Sequence, residues 1–240
     1  MILKQIKSGS TYQTILRYLA EIIIIFLGIT ISFLFDQWRE EIKKKNDLIE
    51  LSKSLLTDID ALKTKFKDDI DGSSAWISQL DSLRNQRTSK KFSDKQLLWF
   101  YKMSTGQFIF LFDPNSPTYI SAVSNGTISE LPENIKTQLY SVYRVKLPIF
   151  ELLYNQQQEN ILNFRNTTMV NSNSYLYTTE ISKINPDLKQ LAEEILRPVY
   201  GNFINQVIIT EKEVLKFNEK IFESLTELEN SLLDYIDSSK

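Results

Sequence analysis

Glu21 is the residue whose chemical type contrasts most with its surroundings in this chain. Its carboxylate directly precedes fourteen uncharged residues, Ile22–Phe35. An ionised carboxylate beside such a run is costly unless it is paired or lies near water. Arg17 precedes Glu21 by four residues, so on a helix the two side chains share one side and can form an ion pair.

The positions that continue from Glu21 at heptad spacing are Ile25, Gly28 and Ser32. Gly28 and Ser32 form a small-xxx-small pair, which lets two transmembrane helices approach closely. One interpretation is an association face made of these four residues, either in a homo-oligomer (taken here as a trimer) or against another membrane protein. The alternative is that Glu21 reaches headgroup water and the two small residues have no partner. A proton-carrying role for Glu21 is disfavoured, because nothing else polar lines a path.

The residue types most used in catalysis are missing from this sequence. It contains no cysteine, which excludes disulfides and thiol chemistry, and no histidine, which removes the commonest general base and metal ligand. None of the six glycines falls in a nucleotide-binding GxGxxG or GxxxxGK[ST] motif. The net charge of −2 argues against general nucleic-acid binding. We therefore expect no catalytic residue, metal, cofactor or nucleic-acid partner; if the protein were an enzyme, residues 108–143 would be the place to look.

The apolar run requires a helix long enough to cross a lipid bilayer. Twenty residue steps separate Tyr18 from Trp38, which on an α-helix cover about 30 Å, the thickness of the hydrocarbon core. Tyr and Trp favour the membrane–water interfaces, so these two residues are the expected interface anchors. The pattern predicts a transmembrane helix over 16–38. A buried core helix and a cleaved signal peptide are the alternatives, but the latter needs small residues where this chain has FDQW at 35–38.

The charges on the two sides of the span give conflicting indications of orientation. Lys and Arg are slightly more numerous after the span, whereas the tail over 1–15 has the more positive net charge. Long domains are translocated largely regardless of charge, and a short cationic tail before an uncleaved apolar segment is typical of a signal anchor. We expect the N-terminus inside a bacterial inner membrane and the soluble domain in the periplasm.

Two long apolar stripes frame the rest of the chain. The first lies on a charged segment without Gly or Pro and predicts a stalk helix over 39–72 that breaks at Asp71-Gly72. The second predicts a long helix over 199–240 that packs on the stalk as an antiparallel, coiled-coil-like pair. The stripes consist, respectively, of Leu48, Leu51, Leu55, Ile59, Leu62, Phe66 and Ile70, and of Ile204, Val207, Ile208, Val214, Leu215, Ile221, Phe222, Leu225, Leu228, Leu232 and Ile236.

Short helices separated by turn signals fill the segment 73–198, the predicted head. Ser73 or Ser74, Ser93 and Ser116 are expected N-caps, and Pro148 is expected to kink or end a helix. The polar segments 84–91 and 166–179 predict loops. The fold class is therefore all-α: an N-terminal transmembrane helix continuing into a stalk, and a helical-bundle soluble domain closed by a long C-terminal helix.

Two regions resemble a family of uncharacterised single-pass bacterial proteins common in Bacteroidetes. The first region runs from Arg17-Tyr18-Leu19-Ala20-Glu21-Ile22 through Gly28-Ile29 to Trp38-Arg39-Glu40. The second comprises Ser116-Pro117-Thr118-Tyr119, Ser124-Asn125-Gly126 and 139–143. The chain departs from the family pattern at Asp36, where amide residues are common. The resemblance implies an inner-membrane protein with this architecture and no established activity.

The leading functional hypothesis is non-enzymatic: a membrane-anchored, self-associating helical module that serves as a binding or scaffold surface. An extracytoplasmic ligand sensor acting through a partner is the first alternative, since helical bundles on a membrane helix often have that role. The second is a membrane-perturbing effector, for instance in defence, in which Glu21 and Ser32 would line an assembled pore.

Overall fold

The structure, a computed structural model, describes residues 9–105, 116–172 and 186–239, with side chains from Arg17 onward. The regular elements in these ranges are all helices, which confirms the all-α prediction. Two compact units are formed, Met1–Leu51 and Ser52–Ser238. The α-helices are α1 (Gly9–Ser89), α2 (Asp94–Ser104), α3 (Pro117–Ser124), α4 (Glu133–Tyr140), α5 (Leu147–Phe164), α6 (Leu188–Glu194) and α7 (Pro198–Ser238).

Helix α1 is longer than the sequence predicts at both ends. It begins at Gly9, within the predicted tail, and it continues through Gly72 to Ser89. The predicted break at Asp71-Gly72 and most of the predicted loop at 84–91 are therefore wrong. A glycine inside a helix costs only about 1 kcal/mol, and burial of Phe66 before it and of Leu80 after it outweighs that cost. The helix ends before Lys90, whose φ of 55° is left-handed, as is common after a helix C-terminus.

The N-caps predicted at Ser93 and Ser116 are confirmed, whereas the cap predicted at Ser73 or Ser74 is wrong, because both of these residues lie inside α1. Ser93 forms a capping box with Gln96 at the start of α2. Ser116 accepts a hydrogen bond from the backbone N–H of Tyr119, with Pro117 as the first residue of α3. Gly126 follows α3 with a φ of 79°, a conformation that suits glycine, and leads into a 3-10 turn over Thr127–Glu130.

One π-helical segment joins α4 to α5, and a second extends α5 at its C-terminal end. The first, Ser141–Lys146, lies between α4 and α5, and at its end the N–H of Leu147 bonds to the carbonyl of Val142, five residues earlier. This wider spacing precedes Pro148, which lacks an N–H, so the helix does not end there as one interpretation predicted. The second, Arg165–Met169, carries the helix into the predicted loop at 166–179. The remainder of that loop, from 173, and the segment 106–115 lie outside the described residues.

Helices α1 and α7 run in opposite directions within the second unit. The Lys63 ammonium lies 2.5 Å from the Glu229 carboxylate. Further along α1, the Arg87 side chain donates to backbone carbonyls just before α7, at Ile195 (2.8 Å), Leu196 (3.1 Å) and Arg197 (3.0 Å). Later residues of α1 therefore contact earlier residues of the α7 region, which shows that the two helices are antiparallel.

The apolar side chains of the second unit fall into two groups along these helices. We call the first the stem core, in which Phe66 packs on Phe150 with ring centroids 5.2 Å apart. We call the second the head core, in which the rings of Phe164 and Phe203 stack at 3.7 Å. Buried residues of the stem core include Leu55, Ile59, Leu62, Phe66, Leu139, Phe150, Ile221, Leu225, Leu228 and Leu232. The head core includes Leu80, Leu83, Phe100, Tyr101, Ile161, Phe164, Leu191, Tyr200, Phe203 and Ile204.

Candidate functional site

The first unit places the predicted association residues along exposed helix. The Arg17 guanidinium Nε lies 3.2 Å from Glu21 Oε1, so the predicted ion pair is present. A Cβ built on Gly28 would have no neighbour within 4 Å. The Ser32 hydroxyl donates to the Gly28 carbonyl at 2.9 Å, which satisfies this polar group inside its own helix. Ile25 lies on the same face and is exposed.

The apolar surface around this face is extensive. Tyr18 is 62% exposed and Trp38 is 59% exposed, and the large apolar residues between them are exposed as well. Among the described residues, one helix is both long enough and apolar enough to cross a membrane, and that helix is α1. Its most apolar stretch is 0% buried. An exposed apolar patch of this extent marks a membrane or protein contact. The predicted membrane anchor accounts for this surface, because lipid would cover it.

A second candidate site lies in the second unit, at the level between the stem core and the head core. On each of three helices the buried apolar residues are interrupted there by polar ones: at 68–73 on α1, at 157–158 on α5 and at 211–218 on α7. Because α1 and α7 are antiparallel, these three segments meet. They line one cavity of about 220 Å³.

Glu211 is the charged group at the centre of this polar layer. Its residue is only 5% exposed. Gln157 Nε2 donates a hydrogen bond to its carboxylate, and Ser73 on α1 also hydrogen-bonds with it. Burial raises the pKa of Glu211 and the nearby carboxylate of Asp69 raises it further, whereas the two hydrogen bonds act in the opposite direction. The two hydrogen bonds therefore offset only part of the cost of burying the Glu211 carboxylate.

Asp69 and Asp68 add further negative charge on the α1 side. Burial raises the pKa of Asp69; the Lys65 ammonium opposes that shift and the Asp68 carboxylate adds to it. Among the described residues that line the cavity there is no Lys or Arg. The cavity therefore presents carboxylates without a lining cation.

Two amide oxygens in the cavity lining accept no hydrogen bond from the described residues. They are Asn218 Oδ1 on α7 and Gln158 Oε1 on α5. Asn218 is only 1% exposed, so its oxygen is also shielded from water. A buried polar group without a partner costs about 1–3 kcal/mol, and a water molecule or a ligand that donates to these oxygens offsets that cost.

Aromatic rings form the apolar wall of the same cavity. Trp76, Phe150 and Tyr154 line it. Trp76 is held edge-on against Trp99, with centroids 6.1 Å apart, and Phe150 lies 5.9 Å from Tyr154. Ring faces favour cations as well as apolar groups. Together the lining offers hydrogen-bond acceptors, negative charge and aromatic surface.

The sequence analysis missed this cavity although a signal was present. Glu211 and Asn218 occupy apolar-stripe positions of α7, seven residues apart, between Ile208 and Ile221. Two polar residues at core positions of one helix indicate either a polar network or a site. Gly72 was interpreted as a helix break, whereas it lines the cavity and a Cβ built on it meets nothing within 4 Å.

Searches against models of protein families, curated proteins and solved structures gave no match for this chain. The functions of both sites are therefore inferred from the residues that form them.

Proposed function

We propose that this chain is a membrane-anchored, self-associating helical protein that acts by binding, with no catalytic step of its own. The observation that carries the proposal is the exposed apolar surface of α1 between Tyr18 and Trp38. Exposed to water, this surface would drive aggregation. In a bilayer it is solvated, and its length of about 30 Å suits the hydrocarbon core.

The proposed location is a bacterial inner membrane, with the second unit on the periplasmic side. The short cationic tail before the apolar run supports that orientation, since it is typical of a signal anchor. The resemblance of the segment 17–40 to single-pass proteins of the Bacteroidetes supports the same assignment, and we propose that the chain belongs with them.

Self-association is proposed to use the face formed by Glu21, Ile25, Gly28 and Ser32. Gly28 leaves room for a neighbouring backbone, because a Cβ placed there would meet nothing within 4 Å. The Ser32 hydroxyl is already bonded to its own helix, so it can enter a helix–helix contact without an unsatisfied donor. The paired charges of Arg17 and Glu21 are suited to the headgroup level. A trimer is the proposed assembly.

The test is the mass of the full chain in detergent micelles or nanodiscs, measured by mass photometry or on blue-native gels. We expect an oligomer for the native chain and a shift toward monomer for Gly28→Ile. Thr30→Ile is the matched control, because Thr30 lies on the opposite face and its hydroxyl also bonds to the carbonyl four residues earlier. A native chain that is strictly monomeric, or equal effects of the two substitutions, would contradict the proposal.

Ligand sensing is a second candidate function, and the cavity beside Glu211 is the observation that favours it. Small-molecule sites are concave and largely apolar, with a few convergent polar groups, as this cavity is. In this role the chain is proposed to pass its signal to a partner protein.

A further inference from the structure

We propose that the cavity between the stem core and the head core binds a small organic cation with a primary ammonium or guanidinium group on a short apolar body. This inference deepens the second candidate function, and it does not require that the chain self-associates.

The two buried polar atoms of the lining that have no partner among the described residues are both acceptors. Asn218 Oδ1 and Gln158 Oε1 accept no hydrogen bond from the described residues. The carboxylate of Glu211 receives hydrogen bonds from Gln157 and Ser73, yet retains lone pairs, since an ionised carboxylate can accept about four. A ligand that satisfies these atoms must supply several N–H donors. A primary ammonium supplies three, and a guanidinium supplies up to five.

The charges around the cavity select the same kind of ligand. Asp68 and Asp69 on α1 and Glu211 on α7 are the acidic groups of the lining, and α5 contributes uncharged Gln157 and Gln158 there. Lys65 is a basic group that acts on Asp69 in this cluster. A cation would restore the favourable environment that burial removes from Glu211.

The aromatic wall favours an organic cation over a bare metal ion. Trp76, Phe150 and Tyr154 give the cavity ring faces and edges, which stabilise an alkylammonium by cation–π contact and its hydrocarbon body by burial. A hard metal ion such as Ca²⁺ or Mg²⁺ gains its affinity from oxygen ligands, and aromatic rings do not supply such ligands.

The size of the cavity limits the ligand to a small molecule. Its volume is about 220 Å³, below the range of about 300–1,000 Å³ typical of sites for drug-sized ligands. An amine of about ten heavy atoms or fewer is therefore the expected size.

The test is isothermal titration calorimetry on the full chain in detergent, with three named probes: butylamine, phenethylamine and agmatine. We expect saturable binding of at least one. Phenethyl alcohol, which keeps the body of phenethylamine without its charge, should bind at least about tenfold more weakly. Butyltrimethylammonium, which keeps the charge within that size limit, should bind more weakly than butylamine, because it has no N–H to donate.

Two pairs of variants assign the binding to this cavity. Glu211→Gln should weaken binding by about tenfold or more, whereas Glu213→Gln, which removes the same charge from an exposed position of α7, should leave it unchanged. Gly72→Leu should abolish binding by filling the cavity, whereas Ala75→Leu, at an exposed position one turn further along α1, should not. The second pair keeps the test decisive if Glu211→Gln fails to fold.

Binding should also weaken as the pH falls, because protonation of Glu211 and Asp69 removes the charge that attracts the ligand. The inference is overturned if none of the three amines binds the native chain, if the alcohol binds equally, if Ca²⁺ binds in their place, or if the control variants lose binding as the cavity variants do. Any of these results leaves the mass measurement on the membrane span unaffected, so failure of the two proposals can be told apart.

Discussion

The carboxylate of Glu211 is buried and hydrogen-bonds with Ser73 and Gln157, so its protonation is coupled to the stability of the second unit. Burial raises its pKa above the ordinary value of 4.5, chiefly because the ionised form is poorly solvated there. The folded chain then holds this proton more tightly than the unfolded chain does. By linkage, the contribution of Glu211 to the free energy of unfolding is greatest below pH 4.5 and declines as the pH rises through the raised pKa.

We expect Glu211→Gln to reduce this decline, because the amide does not ionise. Thermal unfolding of the native chain and the variant in detergent, compared from pH 4.5 to pH 8, should show a shallower fall of Tm for the variant. Some fall should remain, because the pKa of Asp69 is raised as well.

Glu213→Gln is the control for that measurement, since Glu213 is exposed on the same helix. It should retain the full pH dependence of the native chain. Parallel pH profiles for the native chain and Glu211→Gln would show that the folded and unfolded states bind the Glu211 proton equally.

At the scale of single elements, Gly72 of α1 and Gly201 of α7 have different surroundings. A Cβ on Gly72 would meet open space, whereas a Cβ on Gly201 would lie 1.8 Å from Nη1 of Arg87. Arg87 is the side chain whose guanidinium bonds to the three carbonyls between α6 and α7. The absence of a side chain at Gly201 therefore leaves room for the Arg87 guanidinium, which links α1 to the carbonyls just before α7.

We expect Gly72→Ala to stabilise the second unit by about 0.5–1 kcal/mol, because alanine has the higher helix propensity and nothing obstructs its methyl group. Gly201→Ala should instead destabilise it by about 2 kcal/mol, since the guanidinium must move away from its carbonyl partners. Chemical denaturation of the two variants beside the native chain measures both effects. Equal changes in the two variants would mean that the Arg87 contact does not restrict position 201.

Helix α7 illustrates how much of an element periodicity predicts. Its stripe residues Ile204, Val207, Ile221, Leu225 and Leu228 are buried as the sequence analysis expects, because an apolar stripe at helical spacing must be covered. The buried positions of Glu211 and Asn218 did not follow from that rule, because a polar residue within a stripe is found either on its edge or in a polar layer. Only the neighbours supplied by α1 and α5 distinguish these cases.

At the scale of the whole molecule, the two units have opposite surface chemistry. The unit up to Leu51 exposes apolar side chains along α1. The unit from Ser52 buries its apolar side chains in the stem and head cores. This difference is the physical basis for the proposal that the first unit lies in lipid and the second in water. Chemical labelling can test on which side of the membrane the second unit lies.

The absence of cysteine from the sequence makes that experiment direct. We expect a cysteine at exposed position 213 to react with a membrane-impermeant maleimide added to intact spheroplasts, because the second unit is proposed to lie in the periplasm. A cysteine at position 8, in the N-terminal tail, should react only after the membrane is permeabilised. The reverse pattern would place the second unit in the cytoplasm and contradict the proposed orientation.

The sequence alone determined the all-α class, the helix caps at Ser93 and Ser116 and the exposed apolar segment of α1. Each of these depends on residues close together in the chain, so local composition and spacing are sufficient. Only the tertiary structure decided that α1 continues through Gly72, that Arg87 joins it to α7, and that Glu211 lies in a cavity. Those outcomes depend on contacts between segments far apart in sequence, where packing outweighs local propensity and where one buried carboxylate acquires neighbours that no local pattern specifies.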